Sequence, residues 1–275
     1  MALKDLLVHV VNEADSGATI DAALTLAEAH DAHLVGLAIA APLDIPAYAE
    51  AHLPEAMIDI LQEREETRLA SAKALFDSKA KHAGREDRAE WRVDAGVPYQ
   101  ALSLHARYSD LSIVPQNKPE GQDYRFAELA EDLLVSSGRP VLVVPSGWKK
   151  QALGGSIIIA WNGSREAARA LADAMPLLEK AKKVEIFTAA PQDIGDLPGA
   201  DIAAHLAHHK IHVQVHQSVA TGISVGDALL NRAADVGADL IVMGGYGRSR
   251  FREFVLGGVT RHILEHLTVP ALMSH

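Results

Sequence analysis

The sequence predicts an α/β protein made of two similar halves in tandem, and three observations carry that prediction. Apolar, β-branched runs alternate with helical stretches along the whole chain, the pattern of βα units around a parallel sheet. Segments of the first half recur in the second at nearly the same spacing. The 275 residues exceed what one core usually holds, and domains of ~140 residues are of ordinary size.

In the first half, Leu6–Val11 reads as a buried strand, followed by an Ala/Leu helix near Thr19–His30 and a second strand at His33–Ala40. A long helix over Pro54–His82 clusters charges on one side: Glu63, Arg64, Glu65, Glu66 and Arg68. Trp91–Asp94 is the third strand, Pro98–Tyr108 a helix, Leu111–Val114 a strand, Phe126–Ser136 a helix and Val141–Val144 the last strand. The second half repeats the order. Strands are expected at Ser156–Trp161, Val184–Ala189, Ile211–Val219, Leu240–Met243 and Pro270–Met273. Helices are expected at Ser164–Leu178, Ala200–His209, Val225–Val236 and Val259–Leu267.

The repeat is direct in two places. Ser109–Val114 resembles Ala238–Met243, and Arg139–Val144 resembles Val269–Met273. Pro145–Gly155, rich in Pro, Gly and Lys, reads as an exposed linker, which sets domains at 1–147 and 153–275.

Composition excludes several classes. With no cysteine there are no disulfides, thiolate-bound metals or thiol nucleophiles. The start of the chain lacks a basic region and a cleavage site. No apolar stretch reaches the ~20 residues that span a bilayer. A cytoplasmic protein without a membrane partner is therefore expected. A formal charge of −10 makes general nucleic-acid binding poor. The charge is uneven: residues 1–150 hold 24 Asp+Glu against 15 Lys+Arg, whereas residues 151–275 hold 12 against 11.

The strongest motif is Gly244–Gly245–Tyr246–Gly247, then Arg248 to Leu256, then Gly257–Gly258–Val259–Thr260. It follows a buried strand and opens a helix. Glycines let a ligand approach the backbone closely, and successive N–H groups form an anion-binding nest. A helix start adds unpaired donors and a favourable dipole. Two glycine clusters so placed can grip a polyphosphate from two sides, with the Thr260 hydroxyl as a further donor. Read blandly, the same glycines only make tight turns. Arg248, Arg250, Arg252 and Arg261 bracket the motif, Arg248 being the best placed to touch phosphate.

The pattern Gly-x2-Gly-x9-Gly resembles the ATP-binding loop of the universal stress protein family. Gly244, Gly247 and Gly257 take its three glycine positions, and Thr260 its later hydroxyl position. Ala160–Trp161–Asn162–Gly163–Ser164 resembles the family's Ala-Val-Asp-Gly-Ser turn. Two departures stand out: Gly258 replaces a small hydroxyl residue, and Asn162 replaces the carboxylate facing the nucleoside. Trp161, ending a buried strand, is a core position that could also stack on a base. The resemblance implies sheets of order 3-2-1-4-5, with ligands at the carboxyl ends of strands 1 and 4. It also implies antiparallel pairing of last strands between domains, which a tandem chain satisfies internally as a pseudo-dimer. A further homodimer is left open.

The implied ligand is ATP, with ADP and AMP as alternatives and Mg2+ alongside ATP. The first half has Pro115–Gly121 where the loop should be, and Asn12–Glu13 for the turn. Proline removes a donor, and Glu128, Glu131 and Asp132 oppose phosphate. One nucleotide site per chain is therefore expected. No catalytic signature is present, neither a Gly-x4-Gly-Lys-Ser/Thr loop nor a Gly-x-Ser-x-Gly elbow. The expected function is a nucleotide-binding stress-response module, not an enzyme, with room for slow incidental hydrolysis. The alternative is a scaffold or protein-interaction module with vestigial crevices; a phosphometabolite hydrolase ranks third.

His205, His208 and His209 share a helix face, and His212 and His216 a strand face. Imidazoles can bind zinc, but no acidic or cysteine ligand completes the set, and a polar edge explains the pattern without metal.

Overall fold

In the computed structural model, the described residues are 2–40, 54–116, 128–149, 152–189, 199–218, 222–246 and 258–275. The strands are β1 Asp5–His9, β2 His33–Ala40, β3 Ala89–Ala95, β4 Leu111–Pro115 and β5 Val141–Val144 in the first half. The second half supplies β6 Ser156–Ala160, β7 Lys183–Ala189, β8 Val213–Ser218, β9 Leu240–Gly244 and β10 Ala271–Ser274. The helices are α1 Glu13–His30, α2 Glu55–His82, α3 Pro98–Ala106, α4 Leu129–Ser136, α5 Arg165–Leu178, α6 Ala200–His208, α7 Val225–Val236 and α8 Val259–His266.

All strands join one ten-stranded sheet of order β3-β2-β1-β4-β5-β10-β9-β6-β7-β8. Each half has the order 3-2-1-4-5 that the family resemblance implies. Pairing is parallel throughout each half and antiparallel only at the junction, where Leu272 faces Leu142, Ala271 faces Val143 and Met273 faces Val141. The expected pseudo-dimer is thus a single continuous sheet.

Alternation along the strands sorts the core into two layers. Leu6, Val8, Ile157, Ile159, Leu142 and Leu272 point to the face covered by α1, α2, α5 and α6. Leu7, Ile158, Val141, Val143, Ile241 and Met273 point to the face covered by α3, α4, α7 and α8. Both layers run through the two halves without a break.

The duplicated Asp-Leu segments do the same work in each half. Asp110 accepts hydrogen bonds from the N–H groups of Lys4 (2.7 Å) and Asp5 (3.1 Å) at the start of β1. Asp239 accepts them from Gly154 (2.9 Å), Gly155 (3.0 Å) and Ser156 (3.1 Å) at the start of β6.

Three local readings need correction. Helix α1 starts at Glu13, not near Thr19, because the Asn12 side chain caps it by accepting from Asp15 N–H at 2.8 Å. The polar first turn hides that start from an apolar-periodicity reading. Strand β8 starts at Val213, since Lys210 is left-handed and Ile211 N–H closes on Leu206 C=O at 3.0 Å. His212 therefore precedes the strand. The linker is not wholly exposed either: Trp148 is 6% exposed and packs into the core, which the chain must cross between β5 and β6.

A lysine at position 142 or 272 would place an unpaired ammonium in the junction, where Leu142 and Leu272 are both buried. Leu142→Lys and Leu272→Lys should each cost about 3 kcal/mol or more. Urea unfolding measures this, and an unchanged midpoint in both variants would contradict the role of the pair.

Candidate functional site

Strands β6 and β9 are parallel neighbours, with Ala160 opposite Met243. The turn Trp161–Ser164 and the stretch Gly244–Tyr246 therefore leave the sheet side by side at its carboxyl edge. This is the switch point of the second half, where β7 continues to one side and β9 to the other.

The turn is built by its own polar groups. Asn162 Oδ1 accepts from Ser164 N–H at 3.1 Å, Gly163 sits at φ +71°, and Ser164 Oγ caps α5 by accepting from Ala167 N–H at 3.2 Å. Asn162 and Gly163 are exposed. Trp161 is half-buried: its N–H extends the ladder to Phe187 C=O at 2.8 Å, and its ring packs against the core. This placement gives Trp161 a packing role.

Two of the described glycines of the motif, Gly244 and Gly245, answer to packing. A Cβ on Gly244 would lie 2.5 Å from Ala167 N and 2.6 Å from Glu166 C, so the first turn of α5 sits directly on it. A Cβ on Gly245 would collide with Leu134 Cδ2, which comes from α4 of the other half. Gly247, Arg248, Gly257, Arg250 and Arg252 lie outside the described residues.

Thr260 is buried, and its hydroxyl accepts from Tyr246 N–H at 3.3 Å, tying the loop's entry to α8. Gly258 is the N-cap of α8; no side chain caps this helix and no acid stands in its first turn. By contrast α1, α5 and α7 carry side-chain caps with Glu13 and Asp15, Glu166 and Asp227 in their first turns. A helix start without a cap or an acid has backbone N–H groups and a dipole end that favour negative charge. Arg261 is committed elsewhere, 3.6 Å from Glu128 and 3.2 Å from Glu265.

The equivalent edge of the first half is filled by the protein itself. The N–H groups of Val11 and Asn12 donate to Ser16 Oγ at 2.9 and 3.3 Å. Arg68, reaching in from α2, donates to the carbonyls of Val11 and Ile39, the latter at 2.7 Å. Glu65 holds the guanidinium through bonds of 2.9 and 2.7 Å. Behind them lies His9, fully buried; burial, reinforced by the Arg68 charge, holds its pKa down to about 3. Of the segment that replaces the loop, Pro115 ends β4. The Gln116 side chain donates to the carbonyls of Leu264 and Glu265 at 2.9 and 3.1 Å. Residues 117–121 lie outside the described residues.

Sequence reasoning missed Arg68, Glu65, His9 and Gln116. An i,i+3 Glu–Arg pair in the charge cluster of α2 and a histidine inside an apolar run were available signals; Gln116 had none. Of the histidines weighed for metal, His205, His208 and His209 are exposed, the rings of His205 and His209 lie 5.0 Å apart, and His216 stacks on Phe187 at 6.0 Å.

Fold and edge geometry define an open α/β protein whose second half brings the Trp161–Ser164 turn and the Gly244–Tyr246 stretch together at its switch point. Residues 155–275 match the model of the universal stress protein family. A universal stress protein from Archaeoglobus fulgidus DSM 4304 is similar in structure at 17% identity and a TM-score of 0.74, covering 98% of this chain and 95% of its own. A putative universal stress protein from Pseudomonas aeruginosa UCBPP-PA14 shares 17% identity at a TM-score of 0.54, over 99% and 93% of the two chains. The cytoplasmic domain of a prokaryotic cation chloride cotransporter shares 13% at 0.54, over 99% and 96%. At these identities the likeness is one of fold. Among curated proteins none matches the chain. No helix among the described residues is long and apolar enough to cross a membrane.

Because α5 rests on Gly244, Gly244→Ala should cost roughly 1–3 kcal/mol by overpacking. Chemical denaturation measures the cost; a wild-type midpoint would mean that the backbones separate freely.

The buried His9 predicts acid sensitivity. Its pKa is lowered in the folded state from 6.5 to about 3, so the unfolded chain takes up its proton first. The resulting stability is complete above pH 6.5 and is lost as pH falls toward 3. Between pH 6.5 and about pH 5 the loss is on the order of 1–2 kcal/mol. His30, also lowered chiefly by burial, titrates in wild type and in the variant alike and cancels in the comparison. Urea unfolding at both pH values should show a smaller loss for His9→Leu; equal losses would remove His9 from the account.

Proposed function

We propose that the chain is a tandem universal stress protein whose second half binds an adenine nucleotide and serves as a stress-response binding or regulatory module, not as an enzyme. ATP is the first ligand to test, with Mg2+, and then ADP and AMP. One observation carries the reading: the Asn162–Ser164 turn and the Gly244–Tyr246 stretch emerge together beside the uncapped start of α8. The turn presents an amide and a hydroxyl to a nucleoside. The loop and helix start present N–H donors to phosphates.

The two departures from the family pattern bear on strength. Asn162 is exposed and already bends its Oδ1 to Ser164 N–H, leaving its amide N–H2 to meet a ligand. It lacks the charge-assisted bond that a carboxylate makes to a ribose hydroxyl. Gly258 offers backbone only. A second reading, a scaffold that holds no nucleotide, is favoured by the packing roles of Gly244 and Gly245, which account for both glycines without a ligand.

Thermal unfolding with millimolar ATP separates the two. A ligand held only by the folded state adds about 2.7 kcal/mol when present at roughly a hundredfold above its Kd. The melting temperature should rise by several degrees, Asn162→Asp should enlarge the rise, and Gly247→Val should abolish it. Wild type and Gly247→Val melting alike at every ATP concentration would reject the nucleotide reading. Mass spectrometry of small molecules released from the purified protein identifies which nucleotide is carried.

A further inference from the structure

The structure assigns the first half a function in the second half's site: through Gln116 and Leu134 it positions helix α8 and the entry to the glycine loop. This rests on the nucleotide reading for its functional consequence and on contacts between the halves for its mechanism.

Gln116 and Gly245 are equivalent positions, each the first residue after the fourth strand of its half. Leu134 and Leu264 are equivalent too, standing at the same distance before Pro140 and Pro270. Across the antiparallel junction these positions meet in crossed pairs. Gly245 receives the Leu134 side chain of α4, and Gln116 reaches the carbonyl of Leu264 in α8.

The two crossed contacts are chemically different, and the difference favours the second half's site. Gln116 is buried, and its amide donates to two carbonyls at the end of α8, Leu264 and Glu265. Those carbonyls belong to the last turn, which has no partner within the helix. Leu267, the C-cap, has an extended backbone at φ −54° and ψ 130°, so no left-handed turn closes this end. Gln116 takes over that task from the other half. At the opposite contact, the absent side chain of Gly245 admits Leu134 against the residue preceding Tyr246, whose N–H bonds Thr260 Oγ1. Glu128 adds an exposed ion pair to Arg261 in the first turn of α8.

Helix α8 has only eight residues, a length that does not hold itself together in water. Its carboxyl end is fixed by Gln116, its side by Glu128, and the strand end it bonds to by Leu134. All three come from the half whose own crevice is filled by Arg68. Gln116 and Leu134 are positioning residues: they touch no ligand and act by fixing the helix start that would receive phosphate. Coupling is reciprocal, so nucleotide bound at α8 strengthens the contact between the halves by the same factor that the contact strengthens binding.

Gln116→Met, which keeps length and loses both donors, tests this, with Leu134→Ala as a second variant. Amide hydrogen exchange in the unliganded protein is the first measurement. It should quicken in 259–266 and at Tyr246, while the β1–β2 amides keep wild-type rates. Titration with ATP is the second, and Kd should rise on the order of fivefold in Gln116→Met. Unchanged exchange in α8 in both variants overturns the positioning. Faster exchange with wild-type ATP affinity overturns its link to binding. Wild-type protein that binds no ATP defeats the nucleotide reading instead, and the exchange measurement then still decides whether the first half holds α8.

Discussion

Strands β5 and β10 would each be the bare edge of a five-stranded sheet, and each is an unbroken apolar run, Val141–Val144 and Ala271–Met273. An exposed edge of that kind invites uncontrolled pairing. Their antiparallel register around Leu142 and Leu272 removes both edges at once and joins two core layers across the chain. Much else follows from that pairing. It turns the halves about a pseudo-two-fold and lays α4 beside the β9 end and α8 beside the β4 end. It also brings Trp148, in the connection, into the core. The edges that remain, β3 and β8, carry charge or histidine: Glu90, Arg92 and Asp94 on one, His216 on the other.

The same strand ends are used differently on the two sides of the junction. In the first half, α2 delivers Arg68 to the carbonyls that close β1 and β2, with Glu65 neutralising the guanidinium. Ser16 takes the N–H groups of the turn. These side chains take up the backbone groups described at that edge, and α4 carries Glu131 and Asp132 in its first turn, where their charge opposes a phosphate. In the second half the turn is exposed and α8 begins without an acid.

Fold and topology were legible because both rest on periodicity, and the buried strands are apolar enough to show it. Helix α1 was read short because Asn12, Glu13, Asp15 and Ser16 form a cap and a polar first turn, which an apolar pattern cannot register. Glycine spacing marks the Gly244–Tyr246 stretch, and the structure sets that stretch beside the Trp161–Ser164 turn. What escaped was long-range and polar: Gln116 to the end of α8, Arg68 to the ends of β1 and β2. Such contacts join residues far apart in the chain, and no spacing rule encodes them. Arg68 sat in plain view as a surface charge on a long helix, yet its side chain is only 14% exposed.

Glycine is where packing and binding become hard to separate, since both ask for the same missing atom. Gly244 must be small because α5 lies on it, and Gly245 because Leu134 does. Neither demand conflicts with a ligand. A residue without a side chain lets helix and strand approach closely at the carboxyl edge. Gly245 N–H is spent on Ser274 C=O at 2.9 Å and Tyr246 N–H on Thr260, so the first described donors of the stretch hold the loop's entry. Phosphate contacts in such a site then fall to the residues beyond Tyr246 and to the start of α8. The rigid part of the motif serves the fold and fixes where the remainder of the motif begins.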